Sequence, residues 1–330
     1  MAISAAKTYS YDEAFDLQTR ILDGDLSDDE IENVFESIGD LPPLEVFQGF
    51  FDASRKAMVP VTLDVDSLDT CGTGGDGMST FNISTAAAFI CAAAGVTVAK
   101  HGNRSSGNSC GSADVLEELG VKIVLEPDQV AECIAKCGIG FMFAPAYQPA
   151  FKHAAGARKT YAKRTYFNYL GPLLNPANAA YRVLGVARPE SIEIMGNILL
   201  ASGVKKAWLF NGQGMDEINP CAPTQVNEFT PGNSVRTFTI DPLELGFGPC
   251  DSAELKGGTR ECNAAILKDV LNGRASPARM AAALLNAAAG LTVFGKVQDY
   301  EEGVKLAKET IENGSASERL ASLITVSNSF

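Results

Sequence analysis

Apolar residues in the first sixty positions recur at helical spacing. Over residues 11–22 they fall at Ala14, Phe15, Leu17, Ile21 and Leu22, and Gly24 follows as a stop. Ser27 with Glu30 three residues on has the form of a capping box ahead of Ile31, Val34, Phe35 and Ile38, which predicts a second helix. Pro42 and Pro43 break the chain, a third helix is predicted over 44–58, and residues 59–66 read as extended. Beyond them the pattern changes. Short β-like runs at 68–71, 96–100, 139–144, 206–210 and 234–240 alternate with helical runs at 113–118, 127–137, 190–201, 263–271, 277–289 and 300–313. That alternation predicts an α/β unit with a largely parallel central sheet. The expected architecture is a small helical domain over 1–64 followed by a larger α/β domain over 65–330.

Residues 77–99 carry no charge, a length sufficient to span a bilayer. Ser79, Thr80, Asn82, Ser84, Thr85 and Gly95 interrupt the stretch, and 86–94 is almost all small or apolar. The segment therefore reads as a loop followed by a helix buried on every side.

Composition narrows the function classes. The chain has 330 residues, 46% hydrophobic and 20% charged, with 27 Lys and Arg against 40 Asp and Glu, a net charge of −13. This argues against a protein whose main task is to coat nucleic acid or an anionic membrane. Residues 1–66 hold 15 acids against 4 bases, so the remainder is close to neutral. Lys152, Arg158, Lys159, Lys163 and Arg164 form one local cationic run. Eight cysteines show no paired spacing, and no basic region followed by an apolar core opens the chain. A reducing cytoplasm is the expected location, without disulfides. Cys133 and Cys137, four apart on a predicted helix, lack a second Cys or His pair and are expected as buried thiols.

Three clusters carry chemistry. The run Asp69-Thr70-Cys71-Gly72-Thr73-Gly74-Gly75-Asp76-Gly77 follows a predicted strand, and its glycines let an anion approach the backbone amides. Asn82-Ile83-Ser84-Thr85 then opens the Ala-rich helix, where free amides favour phosphate. A glycine turn with an ordinary cap would look the same. Lys100-His101-Gly102-Asn103-Arg104 ends the next strand and suits an anion site better than a core, or else forms a solvated loop. Asp216-Glu217 follows another strand and could reach Mg²⁺, although such pairs are commonly surface charge.

In this order and register the three clusters resemble the anthranilate phosphoribosyltransferase family of tryptophan biosynthesis. Similarity continues through Arg164-Thr165-Tyr166-Phe167-Asn168, Leu170-Gly171-Pro172-Leu173, Asn175-Pro176, Leu255-Lys256-Gly257-Gly258, Asn263 and Leu285-Asn286-Ala287-Ala288. The resemblance implies a nucleoside phosphorylase-like fold in which a helical contribution from about 158–186 joins the N-terminal domain, and a homodimer formed through that domain. It implies transfer of the phosphoribosyl group of phosphoribosyl pyrophosphate to the amine of anthranilate, releasing pyrophosphate. Gly72, Thr73, Gly74, Gly75, Asp76, Thr80, Asn82, Ile83, Ser84 and Thr85 would cradle the donor, completed by Lys100, His101, Gly102, Asn103, Arg104, Gly107, Asn108 and Ser112. Ser84, Asp216 and Glu217 would hold Mg²⁺, while Gly72, Asn103 and Arg158 would face anthranilate. No covalent nucleophile is expected, since a neutral aromatic amine can attack directly while charge stabilisation drives departure of pyrophosphate.

The chain departs from the family pattern at several positions. Gly107 and Asn108 stand where serines are usual, Gln148 and Asn211 replace histidines, and Gly156-Ala157 replaces Pro-Val before Arg158. The N-terminal part is also shorter. These changes concern the acceptor side most, so a paralogue using another aromatic acceptor stays open. So do a nucleoside phosphorylase of related fold and a non-catalytic nucleic-acid-binding relative.

Overall fold

The computed structural model describes residues 9–105 and 110–330. Its first three helices stand where the apolar spacing predicts them. Ser10 caps α1 (Tyr11–Asp23): its hydroxyl accepts from the Glu13 amide while the Glu13 carboxylate accepts from the Ser10 amide. Ser27 and Glu30 repeat that exchange at α2 (Asp28–Ile38), and α3 (Leu44–Ala57) starts directly after Pro43.

Seven strands, β1 (Leu68–Gly72), β2 (Val98–Gly102), β3 (Ile139–Phe143), β4 (Tyr181–Gly185), β5 (Lys206–Asn211), β6 (Thr224–Phe229) and β7 (Arg236–Ile240), form one sheet among the described residues. The order is β3-β2-β1-β4-β5-β6-β7, with β1 to β5 parallel and the last two antiparallel. The helices that follow α3 are α4 (Ile83–Ala93), α5 (Ser112–Glu118), α6 (Pro127–Cys137), α7 (Ala144–Tyr147), α8 (Ala155–Tyr161), α9 (Phe167–Leu173), α10 (Ile192–Ala201), α11 (Arg260–Leu271), α12 (Pro277–Phe294), α13 (Tyr300–Glu312) and α14 (Ser315–Ser327).

The pattern of apolar positions overlooks β4, β6, α14 and the short helices α7 to α9. Arg182 breaks the apolar run of β4, yet it is buried against Asp69 of β1 at 3.1 Å. β6 is half polar and owes its conformation to pairing on both sides. Gly314, read as the end of α13, also opens the serine-rich α14, whose apolar stripe packs on α4 and α6.

Two hydrophobic clusters organise the chain. One surrounds α4, which lies buried between the sheet and α12. A Cβ on Gly290 of α12 would stand 2.7 Å from the Cys91 sulfur and 2.9 Å from Leu68, so the helix approaches that closely only because residue 290 is glycine. α12 is long and apolar enough to cross a membrane, but most of it is buried against α4, α13 and the sheet. The second cluster joins α1 to α3 with α8, α9 and α10 and with Leu184, Val186 and Leu209 on one face of the sheet.

The cysteines contain one surprise. Cys133 and Cys137 are free and buried, as expected, but Cys221 and Cys250 form a disulfide, correcting the expectation of none. Their spacing of 29 residues gives no local signal; only the fold brings the loop after β5 against the segment preceding residues Ser252–Leu255. Closing a loop of that length is worth about 3.6 kcal/mol in the chain-entropy account. Reduction, or the Cys221→Ser/Cys250→Ser double variant, should lower the thermal midpoint; an unchanged midpoint would show that the bond adds nothing.

Candidate active site

The sheet has its topological switch between β1 and β4, because the connections from β1 run outward on one side and β4 to β5 on the other. Ligands of open α/β sheets bind beyond the carboxyl ends of the strands at such a point. Here β1 ends at Gly72 and β4 at Gly185, paired in register. A Cβ on either would collide with Asp216, so two small residues let the loop after β5 fold over the strand ends.

That loop delivers the acids. Asp216 accepts from the Gly74 amide at 2.6 Å, and Glu217 accepts from the Ser84 amide at 3.1 Å at the start of α4. Asp76 is a third carboxylate nearby: its Oδ1 accepts from the Met78 amide, while Oδ2 is buried without a hydrogen-bond partner. Burial pushes the Asp216 carboxyl up to about 7, helped by the charge of Asp76. Glu217 is raised well above the carboxylate range by burial and then by Asp216, despite Lys100. Three oxygen-bearing acids so crowded carry more negative charge than Lys100 offsets, and a hard divalent cation with oxygen ligands would balance it. The loop is held by Asn286 of α12, whose side chain accepts from the Ile218 amide at 3.0 Å and donates to its carbonyl at 3.1 Å.

The glycine-loop and helix residues gather around these acids. Thr73 donates its amide to Gly185 and accepts from Ala187. Thr80 bridges to Lys256, and the Asn82 side chain connects the Cys110 carbonyl to Asn263. Ile83 is a core residue that offers only its backbone. The Thr85 hydroxyl is buried without a partner.

Lys100, on β2, donates to the Thr70 carbonyl at 2.5 Å, and burial lowers its pKa. Beside it His101 spans from Asp69 (2.6 Å) to the Gly171 carbonyl (2.9 Å). Burial alone would raise Asp69, but the charges of His101 and Arg182 outweigh it and hold the carboxyl well below the carboxylate range. Asp69, Cys71 and His101 cluster tightly enough for a metal. Arg182 already occupies the carboxylate, however, and burial pushes the Cys71 thiol up to about 12, so this is an ion-paired anchor for the 171–173 turn.

Gly102 leaves room for the Ser112 hydroxyl at the start of α5. Asn103 accepts from the Arg104 amide. Arg104 itself points to α5, where Glu117 takes it in a two-pronged bond at 2.7 and 2.9 Å and Asp114 adds a third at 3.1 Å. Gly107 and Asn108 lie outside the described residues.

On α8, Arg158 packs over the Phe167 ring at 5.2 Å. Burial lowers its pKa, and among the described residues no carboxylate pairs with it. Asp28 of α2 caps α8: it accepts from the Ala157 amide at 3.0 Å and fills the space a side chain at Gly156 would need. Gln148 donates to the Leu174 carbonyl, and Asn211 to those of Val186 and Ala187. The sequence had no signal for Asp28, and it marked Asn263 and Asn286 only through the resemblance. An acid or amide far along the chain shows its partner only after folding.

A family model described as "Glycosyl transferase family, a/b domain" matches residues 64–317. The anthranilate phosphoribosyltransferase of Acetivibrio thermocellus is 50% identical over 264 residues, 80% of this chain and 76% of that protein. The one of Thermomicrobium roseum is 43% identical over 99% of this chain and 95% of its own. The crystal structure of anthranilate phosphoribosyltransferase from Thermus thermophilus superposes with a TM-score of 0.91 at 34% identity, covering 98% of this chain and 97% of that one. The Saccharomyces cerevisiae enzyme, solved in complex with PRPP and Mg, gives 0.87 at 25% identity, covering 97% and 94%. With this fold, this arrangement at the switch point and these likenesses, the chain belongs to the anthranilate phosphoribosyltransferase family.

Proposed function

We propose that the protein transfers the phosphoribosyl group of phosphoribosyl pyrophosphate to the amine of anthranilate, giving N-(5-phosphoribosyl)anthranilate and pyrophosphate. The observation that carries this reading is the set of Asp76, Asp216 and Glu217 pressed against the glycine loop and the start of α4. Mg²⁺ bound there would neutralise the diphosphate as it leaves C1 of the ribose. Ser84, Asp216 and Glu217 are the residues we assign to it. The glycine-loop amides and the first turn of α4 orient the diphosphate, and Lys100 adds positive charge beside it. Arg158, an uncompensated guanidinium on the acceptor side, binds the anthranilate carboxylate, with Gly72 and Asn103 at the same end of the sheet.

Gln148, Gly156 and Asn211 each serve a local contact of the fold, to Leu174, Asp28 and the strand β4 exit respectively. We divide the chain at about residue 64, with the helical segments of about 158–186, α8 and α9, belonging to the N-terminal domain while β4 within that range stays with the sheet, and assign a homodimer through that domain, which light scattering would test. A cytoplasmic location follows from the donor, a phosphorylated metabolite that does not cross a bilayer unaided.

The test is loss of anthranilate fluorescence on mixing protein, phosphoribosyl pyrophosphate and Mg²⁺, with EDTA as control. Metal-dependent loss is expected. Calorimetric binding of the donor without any such loss would transfer the proposal to another aromatic acceptor, and salt-sensitive DNA binding without donor binding would overturn it.

A further inference from the structure

Arg164 belongs to no part of the site described so far. It lies in the connection from α8 to α9, six residues after Arg158, just past a turn at Ala162 with φ 52°. Its guanidinium reaches the donor loop: Nη2 donates to the Gly74 carbonyl at 3.1 Å and Nη1 to the Gly75 carbonyl at 3.4 Å. The planar group also lies over the Tyr169 ring, 5.5 Å from its centroid. Among the described residues no carboxylate pairs with it, and its Nε is buried without a partner.

The loop is shaped to receive this group. Gly74 and Gly75 both have left-handed φ, 67° and 73°. A Cβ on Gly75 would stand 2.9 Å from Nη1. The Gly74 amide meanwhile donates to Asp216. Gly74 is thus held by a carboxylate of the acidic set through its N–H and by Arg164 through its carbonyl. One residue joins the acids that face the leaving diphosphate to the segment that carries the acceptor-side arginine.

We propose that Arg164 is a positioning residue that couples the two subsites. It fastens the Arg158 segment to the glycine loop, so that ordering the loop around a diphosphate also orders the acceptor side. The proposal rests on the assignment of donor and acceptor given above. Coupling of this kind is reciprocal: each ligand tightens the other by the same factor, about 5- to 150-fold in typical cases.

The experiment is calorimetric titration of anthranilate, without and with saturating Mg²⁺ and pyrophosphate, a pair that cannot react. In the unaltered protein anthranilate should bind about tenfold more tightly when pyrophosphate is present, within that range. In Arg164→Gln the ratio should fall to near one while each ligand alone binds within about twofold of normal. Arg164→Lys keeps the charge without the planar fork and should keep a ratio of about threefold; it carries the test if the Gln variant does not fold. A structural role alone would weaken both ligands and leave the ratio intact. An unchanged ratio in the variants, or a ratio of one in the unaltered protein, overturns the coupling and leaves the assigned reaction standing. Failure of the unaltered protein to bind anthranilate at all overturns the assigned reaction and the coupling with it.

Discussion

Replacing Asp216 with Asn and Glu217 with Gln together is expected to remove turnover while making the metal-free protein more stable at pH 8. Both carboxyls are buried and raised, Asp216 to about 7 and Glu217 well above its usual range, by burial first and by neighbouring acids second. A carboxyl raised in the fold makes the folded chain the better proton binder. Metal-free stability therefore falls as pH rises from the unfolded value near 4 towards the folded value, and above pH 7 the Asp216 contribution is fully lost. The loss is on the order of 2–4 kcal/mol, since each tenfold change in proton affinity is worth about 1.4 kcal/mol. Asn and Gln keep an acceptor oxygen for the Gly74 and Ser84 amides but carry no charge, so the double variant should show a flatter stability profile. In EDTA between pH 5 and 8.5, thermal unfolding should separate the two proteins increasingly towards high pH. Mg²⁺ should close that gap by stabilising only the unaltered protein. Loss of a preorganised charge partner at a reacting group costs about 10²- to 10³-fold in rate, and the initial rate should fall by at least that much. Unchanged turnover would end the metal assignment, and a less stable variant at pH 8 would end the electrostatic account of the site.

The second large effect concerns Arg158. Truncation to Ala should raise the KM for anthranilate by about 10²- to 10⁴-fold, since a charge-assisted bond is worth about 1.5–3 kcal/mol and a fork makes two. The KM for the donor should move by less than about threefold. Folding stability should change little, because the guanidinium is half-buried and lacks a carboxylate partner among the described residues, and its contact with Phe167 is worth about 1 kcal/mol against the cost of keeping the charge partly from water. Arg158→Lys should fall between the two, as a point charge cannot match the planar carboxylate. The discriminating measurement is binding of aniline, which has the amine without the carboxylate. Its affinity should be the same in the unaltered protein and the Ala variant, so preference for anthranilate collapses. Equal losses for aniline and anthranilate would mean that Arg158 shapes the pocket and does not read the carboxylate.

Much of the fold was legible in the order of residues. The apolar spacing of α1 and the glycine after it, the capping box at Ser27 and the prolines before α3 act within a few residues, so local rules predict those helices. The alternation of strand and helix predicted the parallel sheet for the same reason. The chemistry at residues 72–76, 82–85, 100–104 and 216–217 was equally visible, because glycine runs, helix starts and adjacent acids are contiguous in the chain.

What only the tertiary structure decided are the pairings between distant positions. Arg182 made β4 look like a loop until Asp69, on the neighbouring strand β1, and the Leu173 carbonyl supplied its partners. The burial of Asp216 and Glu217 depends on glycines at the ends of two other strands and on Asn286 from a helix near the C-terminus. The Cys221–Cys250 bond, the Asp28 cap on α8 and the reach of Arg164 to the glycine loop arise in the same way. Residue type and local spacing determine backbone conformation and the kind of chemistry a segment can offer. Burial, charge compensation and the coupling of one segment to another depend on which surfaces exclude water together, and that is settled only when the sheet and its helices have packed.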